Sequence, residues 1–206
     1  MNMLQDDSRY PGREELIRQL RSILPEARFR HSLGVQQMAK KLAVRYGLNP
    51  KKAAIAGLLH DWAKIYSEEE LLHLARKYNL RIDPIQEKIP QLLHGPVGSE
   101  LLPIKFAIDD QEIRNAVKYH STGRPGMTFL EKIIFIADYI EPGRTCDGIS
   151  ELRELAFFDL ESAVVAAAGR TISYHLNKGD LLHPLTIYTR NYYLGKDEPD
   201  GGQEAR

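Results

Sequence analysis

Cysteine is almost missing from this chain of 206 residues. Cys146 stands alone, so no disulfide can close within the chain and no thiolate cluster can hold zinc. Any bound metal must then use imidazole and carboxylate, and the lone thiol fits a reducing compartment. Net charge is missing as well: 28 Lys and Arg balance 28 Asp and Glu, which removes the basic footprint of a nucleic-acid binder while leaving small anionic ligands open. No apolar run is long enough to span a bilayer, and the polar stretch from Met1 to Gly12 has no apolar signal core. These absences point to a cytoplasmic protein with neither nucleic acid nor membrane as partner. Period-two alternation is also lacking, which argues against strands.

What remains is a chain 43% hydrophobic, enough to build one helical core. Residues 13–195 are expected to form a single all-α domain, between a flexible N-terminus at 1–12 and a polar, glycine-rich tail at 196–206. Helical spacing of Leu16, Ile17, Leu20, Ile23 and Leu24 is ended by Pro25, and a second helix follows to about Tyr46. Asn49-Pro50 starts a third. Ser67 with Glu70, and Thr128 with Glu131, read as capping boxes; Asp83-Pro84 and Asp109 or Asp110 open further helices. Gly95-Pro96 after His94 reads as a loop or a helix start. His73 reads as a surface residue and His175 as a helix-terminal charge partner.

The chemistry gathers around the run from Ala53 to Leu59, a helix apolar on most sides that ends in His60-Asp61. A buried carboxylate either protonates or recruits a cation, so this ending suggests a metal site. A later apolar helix delivers Asp138 in the same way, and His31 lies on the second helix near Arg28. Two imidazoles and two carboxylates suit a first-row divalent ion, and softness does not separate iron, manganese, cobalt and zinc. His94 and His120 either complete a second metal or hold substrate phosphate, the role we expect of them. Arg28, Lys64 and Arg144 add positive charge beside the ligand candidates.

The order His31, His60-Asp61, Asp138 resembles the H…HD…D signature of metal-dependent HD-domain phosphohydrolases. From about Leu16 to Leu194 the chain is similar to the YqeK-type family of symmetrical dinucleoside tetraphosphatases. The similarity rests on Arg28-Phe29-Arg30-His31-Ser32-Leu33-Gly34-Val35, Leu59-His60-Asp61-Trp62-Ala63-Lys64, His94-Gly95-Pro96, His120-Ser121-Thr122-Gly123, Leu182-His183-Pro184 and Thr189-Arg190-Asn191. The most specific stretch is Ala137-Asp138-Tyr139-Ile140-Glu141-Pro142-Gly143-Arg144. That resemblance implies an all-helical fold holding iron, or else Mn, Co, Zn or Mg, as one or two ions through His31, His60, Asp61 and Asp138. It further implies cleavage of diadenosine tetraphosphate to two ADP. Nucleotide contacts map to Arg28, Lys64, His94, His120, Ser121, Arg144 and the loop Leu181, Leu182, His183, Pro184, Leu185, Thr186. Leu185 stands where a small acidic residue is expected, leaving only backbone contacts at that position.

A divalent ion would polarise a phosphoryl oxygen and lower the pKa of a coordinated water for attack on an inner phosphorus. Asp61 or Asp138 would accept the water proton, and His94 or His120 would assist the leaving phosphate. Rival readings are an HD phosphohydrolase acting on a mononucleotide, a deoxynucleoside triphosphate or a cyclic dinucleotide, and a non-catalytic nucleotide sensor. Assembly as a homodimer stays open.

Overall fold

The computed structural model describes residues 10–195, and the described residues contain helices and no strand. Residues 1–9 of the expected N-terminal segment and the whole expected tail, 196–206, lie outside the described residues. The helices are α1 (Arg13–Ile23), α2 (Glu26–Arg45), α3 (Pro50–Leu59), α4 (Glu68–Lys77), α5 (Pro84–Lys88), α6 (His94–Phe106), α7 (Gln111–Tyr119), α8 (Phe129–Ile140), α9 (Ile149–Phe158), α10 (Leu160–Lys178) and α11 (Pro184–Leu194). Short 3-10 turns at Trp62–Ile65 and Pro90–Leu93 lead out of α3 and into α6. None of these helices is long and apolar enough to cross a membrane.

The core is built on α2 and α3, with α7 and α8 closing over them and α6 packed against α7. Leu42, Val35 and Ala39 of α2 and Ala56, Leu58 and Leu59 of α3 are fully buried. Gly57 sets how near the two helices come. A Cβ there would stand 3.0 Å from the Val35 carbonyl oxygen and 3.1 Å from the Ala39 Cβ. This close approach draws His31 and His60 to within reach of each other. On the outer side of α8, α10 extends the core and packs against α8, α9 and α11.

Most of the local punctuation acts as expected. Asn49 caps α3 through the Lys51 and Lys52 amides, Ser67 and Glu70 form a capping box, and His175 pairs with Asp180 at 3.2 Å near the end of α10. His94 opens a helix rather than sitting in a loop. Thr128 is only half of the expected box. Its hydroxyl accepts from the Glu131 amide, but the Glu131 carboxylate turns to Arg124 in a two-pronged pair at 2.7 and 2.8 Å. Glu131 is 1% exposed, and a bidentate charged pair satisfies a buried carboxylate better than one backbone N–H does.

Asp110 rather than Asp109 caps α7. Its Oδ1 accepts from the Glu112 and Ile113 amides at 3.0 and 3.2 Å, while Oδ2 takes the Tyr10 hydroxyl at 2.7 Å and lies 3.0 Å from Lys52 Nζ. Burial pushes this carboxyl up, but the Tyr10 and Lys52 contacts and the backbone amide outweigh it and hold it below its ordinary value of 3.8. Asp110→Ala is expected to cost roughly 2 kcal/mol in urea unfolding, the upper end for a lost cap. Because the folded pKa is depressed, this difference is full above the ordinary carboxylate value and shrinks as pH falls through the folded one. Paired denaturation curves at neutral and acid pH check both.

Candidate metal centre

The apolar helix α3 carries its last residues straight into the core. His60 ends it and Asp61 begins the following turn, both with no exposed surface. Four more side chains arrive from other elements. His31 comes from the second turn of α2, His94 from the first position of α6, His120 from the end of α7 and Asp138 from the last turns of α8. The residues expected from the HD-type signature are therefore brought together, and His94 and His120 join them.

Two groups of lone pairs face each other across Asp61. On one side, His31 Nε2 is 3.2 Å from His60 Nε2 and 3.0 Å from Asp138 Oδ1, with Asp61 Oδ2 3.6 Å from His60 Nε2 and 3.9 Å from His31 Nε2. On the other, His94 Nε2 and His120 Nε2 are 3.0 Å apart and lie 3.2 and 3.3 Å from Asp61 Oδ1. The Ser121 hydroxyl borders this second group, 3.0 Å from His120 Nε2.

The outer ring nitrogens settle what the inner ones present. Nδ1 of His60 meets the Gly57 carbonyl at 2.7 Å, that of His120 meets Val117 at 2.7 Å, and that of His94 meets Gln91. A carbonyl can only accept, so each Nδ1 carries the hydrogen and each neutral ring turns a lone pair inward. Burial lowers the His60 pKa to about 4 and lowers that of His94 as well. His31 behaves differently: burial pulls it down, but the hydrogen bond to Asp138 and the surrounding carboxylates raise it above its ordinary value. Asp138, only partly buried, is held far below the carboxylate range by His31 against the desolvation it does suffer, and Asp61 is held low by neighbouring imidazoles and Lys64 despite its full burial.

Lone pairs of this density have one natural partner, a cation. Asp61 Oδ1 is buried without a hydrogen bond of normal geometry, although Lys64 Nζ is 3.0 Å away. Two sets have mutual spacing that could hold an ion: His31, His60 and Asp138, and His60, Asp61 and His120. Their nitrogen and oxygen donors fit a divalent first-row metal. His94 and His120 could donate to phosphate through Nε2 only as imidazolium ions, which the burial of His94 opposes. The Ser121 hydroxyl is the neutral donor in that corner.

The three expected cations surround the ligands. Arg28 Nη1 lies 2.6 Å from Asp61 Oδ2, Lys64 Nζ 3.0 Å from Asp61 Oδ1 and Arg144 Nη2 3.1 Å from Asp138 Oδ1. Beyond Ser121 opens a cleft of about 800 Å³ bordered by Tyr119, Tyr188, Lys118 and Arg124 together with His183, Pro184 and Leu185. Leu181, Leu182 and Thr186 do not line it; Thr186 is buried and Leu181 faces outward. The His183 ring is spoken for on both sides. Its Nε2 donates to Asp83 Oδ2 at 2.7 Å and its Nδ1 accepts the Leu185 amide at 3.2 Å, joining the starts of α5 and α11. Tyr119, Tyr188, Lys118 and Arg124 are not singled out by sequence reasoning, because aromatic and basic side chains on helix faces, or in the α7–α8 connection as Arg124 is, have no pattern that separates a cleft from a surface. Tyr119 alone carries a hint, standing next to His120.

An all-helical core with His31, His60-Asp61 and Asp138 converging at its centre defines the HD class of metal-dependent hydrolase folds. The HD domain family matches residues 28–143, and the chain belongs to that family. It is 38% identical over 183 residues to the symmetrical bis(5'-nucleosyl)-tetraphosphatase of Bacillus subtilis, covering 89% of this chain and 98% of that one. The protein of the same name from Staphylococcus aureus is 39% identical, with 85% and 91% covered. A crystal structure of a predicted HD superfamily hydrolase involved in NAD metabolism, from Clostridium acetobutylicum, superposes with a TM-score of 0.88 at 39% identity, covering 91% of this chain and all of the other.

Asp61 faces both groups of histidines. Asp61→Asn removes the charge that would balance a cation on either side, so the wild type is expected to purify with a divalent metal and the variant without it. Elemental analysis of both proteins, with circular dichroism as a check on folding, decides it; undiminished metal in the variant would remove Asp61 from the ligand set.

Proposed function

We propose that this chain hydrolyses dinucleoside tetraphosphates symmetrically, converting diadenosine tetraphosphate to two ADP, as one catalytic domain spanning residues 13–195. The observation that carries the reading is the near-full-length likeness to two symmetrical tetraphosphatases. The divalent ion, iron first among the candidates, would be held by His31, His60, Asp61 and Asp138. When bound it supplies Lewis acidity toward a phosphoryl oxygen and a water of lowered pKa.

The protein's own groups supply the rest. A tetraphosphate brings several negative charges to a rim where Arg28, Lys64 and Arg144 already lean on carboxylates. Exchanging part of those contacts for phosphate oxygens orients the chain of phosphates, and the planar guanidinium groups can grip two oxygens at once. Of the two carboxylates, Asp61 has a side chain only 1% exposed and Asp138 one that is 22% exposed. Asp138 is therefore the better placed to take the proton released when water adds to an inner phosphorus and the bridging P–O bond breaks.

Symmetrical cleavage requires room for a nucleoside diphosphate on each side of the broken bond. The cleft beside Ser121 offers Tyr119 and Tyr188 for stacking one base and Lys118 and Arg124 for its phosphates. On the other flank a shallower groove is bordered by Tyr139, Gly143 and Arg144. The two depressions reach the centre through Ser121 and Arg144.

Incubating the full chain with diadenosine tetraphosphate and separating the products by ion exchange is expected to give ADP alone. AMP with ATP, or no turnover with iron or manganese supplied, sinks the reading. Removing one charged phosphate contact by Lys64→Ala is expected to lower kcat/KM by about 10–100-fold, the equivalent of 1.5–3 kcal/mol for a hydrogen bond to a charged group.

A further inference from the structure

Three of the four inward-facing histidines sit at helix ends, where their Nδ1 hydrogens find backbone carbonyls of Gly57, Gln91 and Val117. His31 lies inside α2, in its second turn, where the carbonyls serve the helix itself, and its Nδ1 faces Glu141 Oε1 at 3.3 Å. We propose that Glu141 is a positioning residue for the metal centre: its carboxylate, seated between Gly34 and Gly143, takes the Nδ1 hydrogen of His31 and turns Nε2 toward His60, Asp61 and Asp138. This rests on the reading of His31 as a metal ligand.

Glu141 is 6% exposed and adds a third carboxylate to a region that already holds Asp61 and Asp138. A buried charge of that sign needs compensating partners: Arg144 Nε lies 3.9 Å from Oε1, and the His31 Nδ1 hydrogen is the donor on that same oxygen. The setting is shaped to this carboxylate. Oε2 accepts the Gly143 amide at 2.6 Å, and a Cβ at Gly143 would stand 3.0 Å from both carboxylate oxygens. Gly34 lies one turn beyond His31 on α2, and a Cβ there would collide with Glu141 Oε2. The turn itself is clamped from α9. Arg153 Nε donates to the Ile140 carbonyl at 2.9 Å, and its Nη2 donates to those of Glu141 and Arg144 at 2.8 Å. A carboxylate in place of a carbonyl also makes the imidazole a more basic ligand, so His31 would bind the ion more strongly for having this partner.

The test uses the full chain stripped of metal and titrated with Co(II) against a chelator, with the visible Co(II) spectrum recorded and folding followed by circular dichroism. Glu141→Ala is expected to weaken Co(II) binding by about 10–100-fold and to alter the spectrum, the scale usual for a lost partner of a ligating histidine. Gly34→Ala should produce a similar loss, because the new methyl group displaces the same carboxylate. Combined with Glu141→Ala it should add nothing further, since the group it displaces is gone. Wild-type affinity in Glu141→Ala, or losses that add in the double variant, would overturn the inference. If Glu141→Ala does not fold, Glu141→Gln keeps the volume and a neutral acceptor: an intermediate loss supports the inference and wild-type affinity overturns it. His31→Ala separates the two levels. Unchanged Co(II) binding there removes His31 from the ligand set, whereas a loss there with none in either Glu141 variant overturns the positioning role alone.

Discussion

The carboxylate of Asp61 is the constraint on which the rest of the centre depends. It is sealed in the core at the end of an apolar helix, with one oxygen toward His31 and His60 and the other toward His94 and His120. A charge in that position is unfavourable unless other charges compensate it. Arg28 and Lys64 reach in from the rim to do part of this, and the inward-facing nitrogen and oxygen donors suit a divalent ion for the rest. Helix packing, ligand geometry and the placement of basic residues are thus answers to one electrostatic problem.

Helix ends are how the fold solves it. The ends of α3, α7 and α8 and the start of α6 meet at the centre, and three of the imidazoles use helix-end carbonyls to fix their tautomers. Carbonyls at helix ends, where fewer backbone amides compete for them, become the anchors of the site. His31, arriving from inside α2, has no such anchor and meets a carboxylate instead. The closeness of α2 and α3 at Gly57 completes the geometry by bringing this residue of α2 level with the end of its neighbour.

Local signals in the chain were the most legible. Asn49, Ser67, Asp83 and Asp110 cap helices because a side-chain oxygen ahead of a helix satisfies amides that have no other partner, and this depends on nearest neighbours alone. Glu131 shows where that reasoning stops: its return bond to the Thr128 amide lost to Arg124, seven residues back, because the buried carboxylate needs the opposite charge that Arg124 brings from the surface. His94 was ambiguous between loop and helix for the same reason, since Gly95-Pro96 permits either. His183 was legible as important but not in kind, because its pairing with Asp83 spans 100 residues of chain.

By itself the sequence determined the all-helical class, the order of the helices and the set of residues able to bind a metal. Apolar periodicity and capping are written in short windows, and the missing cysteines leave only imidazole and carboxylate as ligands. Tertiary structure alone decided which way the lone pairs point. The tautomer of each histidine depends on whether a carbonyl, as at Gly57, or a carboxylate, as at Glu141, stands behind the ring, and for His31 that partner lies 110 residues away. The sharing of Asp61 between two histidine pairs was decided there too, because it requires the ends of α3 and α7, the start of α6 and the interior of α2 to meet at one point, and only packing brings them together.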